Sequence, residues 1–264
     1  FTAAECTKWK NVCSKCPNKR AYPVSLFCDA SKRNYRDKNK MFNSLDNLTI
    51  IVPSEWMAGI VKESFMSRYP VEVVNNGINL GKFVYREPLD RLYEKYGIGR
   101  DKKIILGVAS IWDARKGMED FLSLANILSD EYQIVLVGLS KRQMCKLPDN
   151  VIGILRTENQ EELVMLYSLS HVFMNPSLEE SFSLVTAEAI ACGTPVIVLN
   201  TSAVKELVCQ NNGIVLSGHD AADYLQAITE LEERHLARET VKETARKYDV
   251  DIFTQKVINL YEQM

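Results

Sequence analysis

The hydrophobic positions of this chain follow two alternating patterns. Short, nearly continuous apolar runs predict strands at "LTIIV", "VEVV", "KKIILGVAS", "YQIVLVG", "NVIGIL", "HVFMNPS", "PVIVL" and "GIVL". Helix-period segments separate most of them: "PSEWMAGIVKESF" with Ser54 as N-cap, "PLDRLYEKYGI" stopped by Gly97, "KGMEDFLSLANIL", "NQEELVMLYSLS", "FSLVTAEAIACG" and a short "SAVKELV". Residues 219–264 read as helices only. Strands that are apolar on both faces and alternate with helices predict an α/β fold built on a doubly wound parallel sheet. Such sheets bind ligands beyond the carboxyl ends of their strands, where loops enter helices. Three junctions of that kind carry polar residues: "GVASIWDARKG", "LRTENQ" and "NPSLEESFS".

Composition narrows the class. A chain that is 46% hydrophobic and 25% charged has the balance of a globular protein, not of a disordered or fibrous one. Its longest apolar runs are strand-sized and too short to span a bilayer. The start shows no charged segment leading into an apolar one, so no signal peptide is expected. The chain opens on Phe1 in the middle of what reads as a motif, and further sequence is expected upstream.

Charge is uneven. Residues 1–40 hold ten Lys and Arg against Glu5, Asp29 and Asp37, whereas the whole chain is at −2. A basic end can attract phosphates, lipid head groups or nucleic acid. Few aromatic residues interleave with these cations, which favours a solvated loop region, and no nucleic-acid partner is expected. The cysteines divide in the same way. Cys145, Cys192 and Cys209 are scattered, as buried thiols of a reducing compartment would be, while Cys6, Cys13 and Cys16 fall within "CTKWKNVCSKCP". A zinc knuckle completed by Cys28 or by an upstream residue, a disulfide-prone loop and a local structural element are the alternatives. The last is preferred, and no metal is expected.

The residue that asks for an explanation is Glu188, a carboxylate inside the small, apolar helix "SLVTAEAIACG". An unpaired carboxylate is expensive on a helix that is apolar all round. The first-turn N–H groups near Phe182, Ser183 and Leu184 form a natural anion site, and Ser181 and Ser183 are small enough to let a phosphate approach. Glu180 and Glu188 flank that turn. Two acids beside a phosphate are better placed to accept hydrogen bonds from hydroxyls on either side of it. A phosphate between two sets of hydroxyls describes a nucleotide sugar. In the "DARKG" junction, Arg115 and Lys116 can neutralise a diphosphate leaving group, or can be a basic pair on a solvated loop.

The E-x7-E spacing of Glu180 and Glu188 in "NPSLEESFSLVTAEAIACGTPVIV", with "KG" and "NNGIN" upstream, resembles the family 4 glycosyltransferases. "CTKWKNVCSKCP", "YPVSLF" and "LTIIVPSEWMAGIVKESF" are similar to the members of bacterial polysaccharide-assembly systems. The resemblance implies a GT-B fold of two Rossmann-like domains and transfer of a sugar from a nucleotide-diphosphate sugar with retained anomeric configuration. No metal or cofactor is implied. The departing diphosphate oxygen would help to deprotonate a sugar or lipid-linked oligosaccharide acceptor. The location implied is cytoplasmic, with peripheral association at the inner membrane face as an option. By the same resemblance, Glu180 would bind the transferred sugar, the backbone of Phe182, Ser183 and Leu184 the distal phosphate, Glu188 the ribose, Lys116 the diphosphate and Arg156 the vicinity of the base.

Two departures qualify the likeness. Many members carry an Arg where this chain has Ser110, a loss that Arg115 can offset, and glycines where it has Ser181 and Ser183. Residues 1–76 are expected to be the last part of an acceptor-side Rossmann domain and residues 77–264 the donor-binding domain with its C-terminal helices. Most of the acceptor half would then be missing. Part of the apolar face formed by Ile252, Phe253, Val257, Leu260 and Tyr261 would lack its cover, and the isolated chain would be inactive and prone to associate. The rivals are a nucleotide-sugar-binding module without catalysis and a nucleotide-sugar epimerase. The three scattered histidines suit the epimerase poorly, and His171 reads as a packing residue.

Overall fold

The computed structural model of the chain describes residues 6–18 and 28–263. The segment "YPVSLF" lies outside the described residues. The chain divides into two compact units, Phe1–Asn75 and Asn76–Met264.

The first unit contains α1 (Ser31–Phe42), β1 (Ile50–Val52), α2 (Glu55–Lys62) and β2 (Val71–Val73). β1 and β2 pair in parallel, with α2 as the crossover between them. Ser54 caps α2 as the sequence predicts, accepting a hydrogen bond from the Met57 N–H at 3.2 Å.

The second unit contains, in chain order, α3 (Asp90–Tyr96), β3 (Lys103–Val108), α4 (Met118–Ala125), β4 (Tyr132–Val137), α5 (Lys141–Met144), β5 (Val151–Ile154), α6 (Gln160–Leu169) and β6 (Val172–Asn175). There follow α7 (Leu184–Ala191), β7 (Val196–Leu199), β8 (Gly213–Leu216), α8 (Ala221–Arg234), α9 (Arg238–Glu243) and α10 (Val250–Glu262). The six strands form one parallel sheet in the order β5-β4-β3-β6-β7-β8. This is a doubly wound, Rossmann-like arrangement, and its winding direction reverses between β3 and β6.

Alternation along each strand sends side chains to opposite faces. Leu106, Val135 and Phe173 pack with Leu166 and Tyr167 of α6 and Ile190 of α7 on one face. Ile105, Ile134, Leu136 and Met174 pack with Phe121 and Leu124 of α4 and Tyr224 and Ile228 of α8 on the other. Full burial of side chains of this size stabilises by about 1.5–3 kcal/mol each, so these two layers hold the strand ends in place. α10 differs: none of its residues is buried, and Ile252, Ile258 and Tyr261 are 41%, 44% and 71% exposed.

Several elements depart from the sequence reading. "SAVKELV" forms only a 3-10 turn, Ala203–Leu207. The helix carrying Glu188 begins at Leu184, so Phe182 precedes it and Ser183 occupies the capping position. α1 and α5 are helices that the apolar pattern does not reveal. Asn76, placed by the sequence reading in the first domain, belongs to the second unit.

Candidate functional site

At the reversal point, the β3–α4 loop (109–117) and the β6–α7 loop (176–183) come together. Trp112 anchors the first. Its ring is buried edge-on against Phe121 at 5.5 Å, and Nε1 donates to the Val137 carbonyl at 2.9 Å. Gly138 lets this loop pass, because a Cβ there would lie 1.6 Å from the Ala109 carbonyl oxygen. Gly117 joins the two loops. It has φ +71°, and a Cβ on it would lie 2.5 Å from the Pro176 ring. The Leu178 N–H donates to the Arg115 carbonyl at 2.8 Å, completing the stitch.

The stitch places Lys116 against Glu180, with Nζ 2.6 Å from Oε1. The Glu180 side chain is 13% exposed and that of Lys116 31%, so the pair is largely shielded from solvent. Glu180 is held from the other side, since its N–H donates to Ser202 Oγ at 2.9 Å and its carbonyl accepts from the Ala203 N–H at 3.2 Å.

Ser183 leads into α7 with φ +83°, a left-handed conformation that a Cβ-bearing residue adopts at a cost. Its hydroxyl points inward and meets Asn175 Nδ2 and Thr186 Oγ1, each at 2.9 Å. Asn175 also donates to Thr186 at 2.9 Å and accepts from the Ser177 N–H at 3.2 Å. One buried amide at the end of β6 therefore fixes both the loop and the helix start. Phe182 is buried edge-on against Tyr248 at 5.4 Å, while Ser181 and Leu184 are exposed. By helix geometry, the first-turn N–H groups of α7 lack acceptors within the helix.

Glu188 lies one turn further along α7. Its Oε2 accepts from the hydroxyl of Tyr167, a fully buried residue of α6, at 3.0 Å. Burial pushes the Glu188 carboxyl up to about 7, and the Tyr167 bond partly opposes this. The Tyr167 hydroxyl is pushed well above its ordinary value, first by burial and then by the carboxylate charge. Glu188 thus has one protein partner and stands near the midpoint of its titration at neutral pH.

The other candidates are placed less centrally. Arg115 is turned onto Asp113, with Nη2 2.8 Å from Oδ2, so its charge is already matched. Asp113 is held below the usual carboxylate range by these bonds, which outweigh its desolvation. Ser110 and Arg156 are exposed in loops that follow β3 and β5. His171 pairs with Glu232 at 2.9 Å and His219 with Asp120 at 3.4 Å, while His235 ends α8 in a left-handed conformation. Cys6, Cys13 and Cys16 line a cavity of about 230 Å3 in the first unit, with Trp9 and Tyr35. Burial, and then the neighbouring Cys6 and Cys16, push the Cys13 thiol up. Among the described residues, no three His, Cys, Asp or Glu side chains are grouped to hold a metal ion.

Sequence reasoning missed Tyr167, Asn175, Thr186 and Ser202. Asn175 carries a readable signal, since it is the polar end of the apolar strand "VFMN". Tyr167 carries none, because its partner lies 21 positions away on another helix.

A parallel sheet with this strand order, and a Lys116–Glu180 pair at the loops of its reversal point, define a Rossmann-like domain. Residues 90–248 match the family Glycosyl transferases group 1, and the chain belongs to that family. It is 26% identical to the O-antigen chain mannosyltransferase RfbU of Salmonella typhimurium over 213 residues, which is 75% of this chain and 56% of that protein. It is 27% identical to the D-inositol 3-phosphate glycosyltransferase of Mycolicibacterium smegmatis over 183 residues, 64% of this chain and 42% of that one. The chain spans about half the length of the curated relatives it matches. The sucrose-phosphate synthase structure from Thermosynechococcus elongatus superposes with a TM-score of 0.73 at 24% identity, covering 90% of this chain and 64% of that one. Anabaena HepE in complex with UDP and glucose superposes with a TM-score of 0.70 at 17% identity, covering 88% and 67%. These likenesses establish the fold, that of the GT-B glycosyltransferases. Among the described residues, no helix is long and apolar enough to cross a membrane.

Proposed function

We propose that the second unit is the donor-binding half of a family 4 glycosyltransferase that transfers a hexose from a nucleotide-diphosphate sugar, with retention, in polysaccharide or glycoconjugate assembly. The observation that carries this reading is the Lys116–Glu180 pair beside the start of α7, with Glu188 one turn further in. A cation suited to a diphosphate thus meets an acid suited to sugar hydroxyls, and a second acid, suited to ribose hydroxyls, follows on the helix that this junction leads into. In this reading Lys116 leaves Glu180 for the phosphates as the donor enters, and Glu180 turns its freed oxygen to the hexose. The first-turn N–H groups, held by Asn175 and Ser183, receive the distal phosphate. Arg156 lies toward the base, and Arg115 supports Lys116 only if it leaves Asp113. The first unit is the remainder of the acceptor-side domain, for a sugar or lipid-linked oligosaccharide acceptor in the cytoplasm. No metal or cofactor enters the scheme. HepE's complexes with UDP and with UDP-glucose support a nucleotide-sugar ligand for the shared fold.

Because the chain spans about half of its relatives, a binding module without turnover is the second reading. An epimerase finds less support, since His171 and His219 are each paired with a carboxylate and lie on other elements. Titration calorimetry with a panel of nucleoside diphosphates and their sugars tests the donor site, and product analysis with and without acceptor separates the three activities. Absence of binding to every nucleotide in the panel would refute the reading.

A further inference from the structure

The carboxyl of Glu188 is held by a neighbouring helix. Tyr167, near the end of α6, is fully buried, and its hydroxyl lies 3.0 Å from Glu188 Oε2. The phenol has little freedom to swing. Its ring meets Phe173 edge-on at 5.7 Å and Phe83 at 6.4 Å, and its carbonyl accepts from Thr194 Oγ1 at 2.6 Å. Burial and the Glu188 charge push the hydroxyl well above its ordinary value, so it stays protonated and donates. Glu188 itself is half-buried, and with Oε2 engaged, Oε1 is the oxygen left for a ligand.

We infer that Tyr167 is a positioning residue for nucleotide binding: it pins Glu188 Oε2 so that Oε1 is aimed at the vicinal hydroxyls of a ribose. The inference rests on the ribose role proposed above for Glu188 and assigns what orients that carboxyl. A glutamate free to rotate must be immobilised by its ligand, which weakens binding, whereas one already held binds at no such cost. The same bond favours the charged carboxylate against the burial that disfavours it. Other groups around α7 are engaged elsewhere. The helix packs against α6, α9, β6, β7 and the Ala203–Leu207 turn. β6 and β7 carry no titratable side chain. Glu161 and Glu162 of α6 pair with Arg86 and Lys95. On α9, Arg238 lies over the Tyr85 ring, Glu239 pairs with Lys242, and Glu243 pairs with Arg246. The turn carries half-buried Glu206 and exposed Lys205, which donates to Asn200 Oδ1. Cys192, one turn beyond Glu188, has its thiol pushed up to about 12, first by burial, and is neutral.

The experiment is titration calorimetry of the full chain, Tyr167→Phe, Glu188→Gln and the double variant across neutral pH. The probes are UDP, GDP and ADP, each beside its 2′,3′-dideoxy analogue, which offers Glu188 no hydroxyl. Tyr167→Phe keeps the ring that packs on Phe173 and Phe83. It should bind the ribonucleotide about five-fold more weakly and the dideoxy analogue unchanged, which also shows that it is folded. The midpoint of its pH–affinity curve should move up from about 7. A 3-fluorotyrosine at position 167, a stronger donor of nearly the same shape, should move the midpoint down. In the Glu188→Gln background, loss of the Tyr167 hydroxyl should have little further effect. Equal losses for both forms of the nucleotide would make Tyr167 a packing residue and overturn the inference. So would additive losses in the double variant, an unmoved midpoint with 3-fluorotyrosine, or undiminished Tyr167→Phe affinity where Glu188→Gln is weakened. Glu188→Gln binding like the parent at every pH would refute the ribose role itself, and a chain that binds none of the nucleotides would refute the proposed function. In either case this inference falls with the reading it rests on.

Discussion

Lys116 Nζ lies 2.6 Å from Glu180 Oε1, although the two residues are 64 positions apart and belong to different loops. Without a ligand each neutralises the other, so a donor that engages either must release its partner. Glu180→Ala is therefore expected to leave nucleoside diphosphate affinity equal or up to about five-fold tighter, because Lys116 is freed, while weakening the complete nucleotide sugar. Lys116→Ala should weaken both ligands about ten-fold and leave a nucleoside without phosphate nearly unaffected. Calorimetry with three ligands on the two variants checks this, and identical profiles would refute the division of labour.

Glu188 gives the site a pH dependence. Its carboxyl is pushed up to about 7, and only the ionised form accepts two hydrogen bonds per oxygen from ribose hydroxyls. Nucleoside diphosphate affinity should rise as pH passes from 6 to 8, roughly around that midpoint. Glu188→Ala should cost about ten-fold or more in affinity above it, and Glu188→Gln should flatten the profile. A pH-independent affinity in the unsubstituted protein would count against the ribose role.

The same shift has the opposite sign for stability. The folded pKa lies above the unfolded one, so the contribution of Glu188 is fully present below pH ~4.5 and is lost as pH rises through about 7. The loss amounts to about 3 kcal/mol at most. Denaturant titrations should show Glu188→Gln losing less stability than the parent between those limits. A parent and variant that fall in parallel would place the carboxyl near its ordinary value.

Asn175 is expected to support the phosphate turn, not only the fold. Asn175→Ala removes bonds to Ser183, Thr186 and the Ser177 N–H, although the two hydroxyls still face each other at 2.9 Å. A stability loss of about 2 kcal/mol is expected. Affinity for a nucleoside diphosphate should fall in the folded variant, while affinity for the bare nucleoside holds. Equal losses for both ligands would make Asn175 a packing residue alone.

Ile252, Ile258 and Tyr261 are apolar side chains of α10 left open to solvent. At micromolar concentration the chain is expected to self-associate, and replacing the three with Lys should yield a monomer in light scattering without changing nucleotide affinity. A monodisperse parent would show that these exposed side chains are harmless.

The alternating part of the fold was legible because the central strands β3, β4, β6 and β7 are buried on both faces and therefore read as unbroken apolar runs. α1 escaped because half of its sequence, SKRNYRDKNKMF, is charged and it has too few apolar residues to show a period. α5 escaped because it is four residues long, although its Ser140–Gln143 capping box is a local signal that could have been read. At the site, the acids and Lys116 were legible from chain spacing. Their partners were not, because Tyr167 to Glu188 and Lys116 to Glu180 are contacts made by the sheet's topology. The left-handed Ser183 was hidden for a related reason: its local propensity is overruled by Asn175 and Thr186.

The seat of Gly117 on Pro176, and the bond from Leu178 to Arg115, make two loops behave as one part. Their interchangeable unit is therefore the pair. Grafting residues 176–183 from a homologue would bring a new acid but unseat the lysine that faces it. Moving 109–117 with them would carry cation, acid and contact together. Over evolutionary time the two segments should drift in concert, and an engineer who wishes to change the donor should recombine them as a single cassette.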